Sequence, residues 1–115
     1  MKSGKIWGTT EVLLRTPFLE VHRLVIFPKA HCSLHKHLYK HNSFFVAKGR
    51  LMIEVHKSDY NLVDITDLGP GEFTTVKPND LHSFMTGPEG CTAIEMYYPE
   101  PLSEDIIRQN VGGRL

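Results

Sequence analysis

The 115-residue chain predicts an all-β fold, a barrel or sandwich of short strands, on three observations. Runs rich in Val, Leu, Ile and Phe recur at near-regular spacing. Glycine and proline fall between those runs, where turns are needed. Leu51, Ile53 and Val55 alternate with Met52, Glu54 and His56, the period of two that marks a half-buried strand.

Taken in order, residues 11–15 and 18–27 read as the first strands, punctuated by Pro17 and Pro28. Residues 33–37 follow as a short strand, and residues 38–42 as a polar turn. Residues 43–48 and 50–57 pair about Lys48-Gly49. Residues 61–68 come next, and Gly69-Pro70-Gly71 turns the chain into residues 72–77. Pro78-Asn79-Asp80 leads into residues 81–86, and Gly87-Pro88-Glu89-Gly90 into residues 91–98. Only the tail reads as helical: Ser103 can cap a short C-terminal helix with Glu104 and Asp105 in its first turn and Arg108 late.

The length suits one domain over residues 1–115. Thirteen basic and thirteen acidic residues cancel, so no bulk field draws the chain to nucleic acid or an anionic membrane. No apolar run approaches the ~20 residues of a membrane span. The polar start, Met1 to Gly8, lacks the apolar stretch of a secretory signal. Cys32 and Cys91 are too few and too separated to imply a disulfide framework. These features predict a soluble protein of a reducing compartment, the cytoplasm.

Three histidines carry the chemistry: His35 and His37, two apart, and the distant His82. Side chains two apart on a strand share one face of the sheet. Two such imidazoles can therefore reach one cation at about 2.0–2.1 Å, and a third ring from another strand would complete one face of its coordination sphere. Glu95 is the other candidate, an acid inside the apolar run Ala93-Ile94-Glu95-Met96-Tyr97. Either it faces a cavity, as a proton-transfer group, or it points outward to solvent; parity along the strand does not choose.

These motifs resemble the cupin family, small antiparallel barrels of jelly-roll (double-stranded β-helix) type that hold a metal inside. The first family motif runs His-x-His, four residues, Glu, six residues, Gly; here it is His35-Lys36-His37, then Asn42, then Gly49. In the second, Gly71 precedes His82 by the family spacing, with Lys77 in the proline place and Asn79 in the glycine place. The resemblance implies a divalent transition metal (Zn, Mn, Fe or Ni) on His35, His37 and His82, and a homodimer.

Two departures bear on that implication. Asn42 stands where the family usually ligates through glutamate, and Thr86 where an asparagine often follows the third histidine. With neutral Asn42 a divalent site keeps a charge near +2, which favours an acidic bound water or an anionic ligand and weakens retention of a hard metal. Asn42 is either a ligand or a turn residue. His41 beside it is a fourth ligand only if the turn rearranges. Phe44, Val46 and Phe84 share parity with the ligands and are expected to line the pocket, whereas Cys32 is expected to pack as a small hydrophobe.

The last third, with Ile94-Glu95-Met96, residues 102–108 and Gly113-Arg114, resembles the C-terminal cupins of mannose-6-phosphate isomerase type. This likeness implies a ligand among sugars or sugar phosphates. The metal would then polarise a carbonyl and a hydroxyl, Glu95 would move a proton, and Arg108 or a pocket lysine would hold phosphate. Gly112 in place of the usual tyrosine weakens the match. Three histidines without a carboxylate also resemble the iron site of thiol dioxygenases in the same superfamily. A third expectation is a non-catalytic small-molecule-binding module.

Overall fold

The computed structural model describes residues 2–57, 61–99, 109 and 111–114. Among them are nine strands and no helix: β1 (Lys2–Lys5), β2 (Gly8–Arg15), β3 (Glu20–Ile26), β4 (Lys40–Gly49), β5 (Leu51–Lys57), β6 (Leu62–Leu68), β7 (Phe73–Val76), β8 (Leu81–Met85) and β9 (Cys91–Pro99). They form two antiparallel sheets, one of six strands in the order β1-β2-β3-β9-β4-β7 and one in the order β6-β5-β8. The architecture is the expected all-β jelly roll. The tail helix expected from Ser103, with Arg108, lies outside the described residues. Among the described residues no helix is long and apolar enough to cross a membrane.

Strand alternation builds the core. Leu24 and Ile26 on β3, Phe44 and Val46 on β4, Leu51 and Ile53 on β5, and Ala93 on β9 are all buried. Trp7 packs edge-on against Phe84, with ring centroids 5.0 Å apart. The same inward parity that fills the core with apolar groups carries polar ones at one end. Along two rungs, His22 on β3 pairs with Glu95 on β9, which pairs with Phe44 on β4; Glu20 pairs with Tyr97, which pairs with Asn42.

Three of the differences from the expected strands have a clear physical reason. β1 is polar and fully exposed, so no hydrophobic pattern announces it. Residues 40–42, read as a turn, open β4, because backbone pairing with Tyr97, Tyr98 and Pro99 extends the ladder past the last apolar residue. Residues 33–37, read as a strand, are an irregular strap along β8. Cys32 N–H donates to the Phe84 carbonyl (3.1 Å), and His35 and His82 exchange backbone hydrogen bonds of 3.0 and 2.8 Å. Between these rungs the strap holds one residue more than β8, the signature of a bulge. Ser33 and Leu34 are both exposed in consequence, and Cys32 and His35 face inward although three residues apart.

Two turns explain their residues. Gly49 has φ +82° and lies so close to the Gly90 carbonyl that a Cβ would collide with it. Asn79, in the glycine place of the second motif, has φ +70°. Asparagine tolerates that left-handed conformation better than other side chains, which is how the motif survives the exchange.

Candidate metal centre

His82 is carried on β8, and His35 and His37 on the bulged strap beside it. One ring nitrogen from each lies within 4.8 Å of the others. The ring centroids are 4.6 Å apart for His35 and His82, 5.1 Å for His35 and His37, and 5.7 Å for His37 and His82. His82 is 1% exposed, as is Asn42 beneath it. Small turns of the rings about their side-chain torsions would bring a cation within bonding reach of all three.

Proton placement decides what the cluster accepts. His82 Nδ1 lies 2.8 Å from the Asp80 carbonyl, and His35 Nδ1 lies 2.8 Å from the Ser33 carbonyl. A carbonyl only accepts, so both Nδ1 atoms donate and both Nε2 atoms are bare. His37 Nε2 is buried with no hydrogen-bond partner. Asn42 commits its NH₂ group to Glu95 Oε2 (3.3 Å) and the Met96 carbonyl (3.5 Å), which turns its Oδ1 toward His82 Nε2 at 3.3 Å. Two acceptors thus confront each other. A proton on His82 would reconcile them, but burial pushes the pKa of His82 below the usual histidine value, and burial does the same to His37. Neutral nitrogens and one amide oxygen suit a borderline transition metal, whose positive charge would satisfy the lone pairs a proton cannot.

Glu95 faces inward, 7% exposed, and its orientation is thereby decided. Burial raises its pKa above the ordinary carboxylate value, against the hydrogen bonds from Tyr97 and Asn42. Tyr97 is in turn pushed up by burial and by the Glu95 charge, and its ring packs edge-on against His37 at 5.2 Å. Lys40 Nζ stands 5.8 Å from the centre of the Tyr97 ring. His41 is not brought to the site: it pairs with Tyr98 and its ring stacks on that tyrosine at 5.3 Å. Outside the ligand cluster as well, His31 is exposed and bonds the Cys32 carbonyl.

A cavity of about 860 Å³ opens onto the cluster through His35, Glu95 and Tyr97. Its walls include His22 and Trp7, and Lys5 and Lys29 are among its lining residues. Phe84 lines it as expected, and Cys32 both lines it and packs into the core, accepting a hydrogen bond from Phe84 N–H at 3.2 Å. Phe44 and Val46 sit in the core behind the cavity wall. Thr86 staples the strap instead of facing the site, donating to the Phe27 carbonyl (2.6 Å) and accepting from Ala30 N–H (3.0 Å). Sequence reasoning missed His22 and Tyr97. A signal was present for His22, which shares the parity of Leu24 and Ile26; β9 is apolar on both faces, so parity did not single out Tyr97.

No family model matches the chain, and no curated protein does. Solved structures do. KdgF from Halomonas sp. superposes with a TM-score of 0.72 at 15% identity over 86% of each chain. The oxalate decarboxylase of Bacillus subtilis, a protein with Mn(II) centres, gives 0.76 at 16% identity over 90% of this chain. The Cnp3 cupin domain of Schizosaccharomyces pombe gives 0.70 at 12% identity over 80% of it. This chain spans 28% of the decarboxylase chain and 64% of the Cnp3 chain. At such identities the likeness is one of fold.

Proposed function

We propose, from the premise that this chain has the cupin fold, that His35, His37 and His82 hold a divalent transition metal and that the adjoining cavity takes a small anionic ligand of the sugar or sugar-phosphate class. The observation that carries the reading is the convergence of three imidazole nitrogens within 4.8 Å, with bare Nε2 atoms on His35 and His82. Asn42 Oδ1 is the fourth donor in reach. Because Asn42 is neutral, the charge of the ion is not cancelled, and an anionic ligand is favoured at the open side.

When bound, the metal supplies Lewis acidity to a ligand carbonyl or hydroxyl. The rest falls to the protein. Lys5 and Lys29 offer charge-assisted hydrogen bonds to a phosphate or carboxylate. Trp7 and Phe84 wall the cavity with apolar surface that displaces water. Glu95, with its raised pKa, is suited to take a proton from one carbon and return it to the next. The reaction class that joins these parts is isomerisation of a hydroxy carbonyl compound.

Elemental analysis of purified protein and of His37→Ala tests the site. Near-stoichiometric metal in the wild type and a large loss in the variant are expected; full metal in the variant overturns the assignment. A thermal-shift screen of sugar phosphates on metal-loaded protein tests the ligand class. Iron in the site together with oxygen uptake would instead favour the dioxygenase reading, which the carboxylate-free donor set also suits.

A further inference from the structure

We propose that Thr10, His22 and Glu20 form a proton relay opening into the cavity, with His22 as a second acid–base residue beside Glu95. The proposal rests on the isomerase reading above for its reaction, but its geometry is independent of the metal cluster.

His22 faces inward from β3 and is paired across the ladder with Glu95, so the two side chains are neighbours on one wall of the cavity. Its side chain is 14% exposed. A buried imidazole needs partners for both nitrogens, and it has them. Nε2 lies 3.1 Å from Glu20 Oε2, and Nδ1 lies 3.3 Å from Thr10 Oγ1. Arg15 holds the other Glu20 oxygen at 3.2 Å. A carboxylate only accepts, so Nε2 carries the proton and Nδ1 is bare, accepting from the Thr10 hydroxyl. A hydroxyl, a basic imidazole nitrogen and a carboxylate that orients the ring are the parts of an activated proton acceptor. The Glu20 carboxylate lies below its usual pKa, chiefly through the hydrogen bond from His22, and stands ready to stabilise an imidazolium.

Isomerisation of a 2-hydroxy aldehyde to a 1-hydroxy ketone moves two protons, one between carbons and one between oxygens. Glu95 takes the proton from C2; the C–H pair becomes the C1–C2 π bond while the carbonyl π pair moves to O1. The bare Nδ1 of His22 then takes the O2 proton through the Thr10 hydroxyl and, as an imidazolium held by Glu20, returns it by the same path to O1. The O2–H pair closes the new carbonyl as the C1–C2 π pair collects, at C1, the proton held by Glu95. Atoms and electrons balance without an oxidant. One carboxyl group and one imidazole divide the work that either alone would have to do twice.

The test uses metal-loaded protein with fructose 6-phosphate in D₂O, following deuterium at C1 by NMR. His22→Gln is expected to slow exchange by about 10²–10⁴-fold, with metal content unchanged and KM within about threefold. Thr10→Val, which spares both charges, should slow it less and alter the pH profile, which is also set by Glu20, Arg15, Glu95 and Tyr97 around the ring. Wild-type exchange in His22→Gln overturns the proposal. Should the wild-type protein exchange nothing, the isomerase reading fails, and the relay is decided by imidazole ¹⁵N NMR. Protonated Nε2 and bare Nδ1, with the tautomer altered in Glu20→Gln, supports it; protonated Nδ1, or an unaltered Glu20→Gln spectrum, overturns it.

Discussion

At the floor of the site, the 3.3 Å approach of Asn42 Oδ1 to His82 Nε2 makes residue 42 the point where the donor set is most directly tuned. Asn42→Asp keeps the volume and adds a charge next to Glu95 in a buried setting. Without metal this variant should unfold at lower temperature than the wild type, because two carboxylates then share one dry pocket. With Mn²⁺ the order should narrow or reverse, and its metal-induced rise in Tm should exceed that of the wild type; equal rises would remove Asn42 from the donor set. Glu20 provides a pH signature. Its pKa is lowered by the His22 hydrogen bond, and by the Arg15 charge, against some burial. A depressed carboxylate contributes stability above its unfolded value near 4.5, lost as pH falls through the folded value. The stability gap between wild type and Glu20→Gln should therefore be largest near neutral pH and close as the pH falls from 4.5 through the lower folded value, measured by urea unfolding across the range. The clustering of His35, His37 and His82 was legible because the two motifs that resemble the cupin pattern set them at fixed spacings. The orientation of Glu95 was not, since its strand is apolar on both faces and alternation gives no contrast.

Among the elements, the strap alongside β8 departs furthest from a sequence reading. Ser33–Leu34 looks like regular strand, yet the extra residue there turns His35 and His37 toward the interior together with Cys32. Nothing in residue type marks a bulge of this kind, because its cause is the partner strand. β1 escaped notice for a different reason: Lys2, Ser3, Gly4 and Lys5 bury nothing, and only the ladder to β2 makes them a strand. Turn glycines were legible, because their demand is conformational and local. Gly49→Ala should cost about 2 kcal/mol or more, from left-handed strain compounded by collision with the Gly90 carbonyl. The check is a lower denaturant midpoint with an unchanged m-value; a loss below about 0.5 kcal/mol would mean that the turn relaxes freely.

For the molecule as a whole, the three imidazoles and Asn42 come from the strap, β8 and β4, so both sheets meet at the site. An ion there binds only the folded chain and stabilises it by mass action, about 2.7 kcal/mol at a free concentration one hundred times Kd. Zn²⁺ or Mn²⁺ should accordingly raise Tm, EDTA should reverse the rise, and His82→Ala should abolish it. An equal rise in His82→Ala would place the ion elsewhere. The all-β class was readable from strand rhythm and turn residues, and the jelly roll from the family resemblance. The polar end of the interior was not, because it arises where inward positions of β3, β4 and β9 coincide, a matter of register between strands remote in sequence.

The cavity wall holds the only tryptophan of the chain, Trp7, set edge-on against Phe84. Its indole is therefore a built-in optical probe. Filling of the chamber would register in the emission wavelength of the native protein, and a paramagnetic ion on the histidines would dim it, with no dye attached.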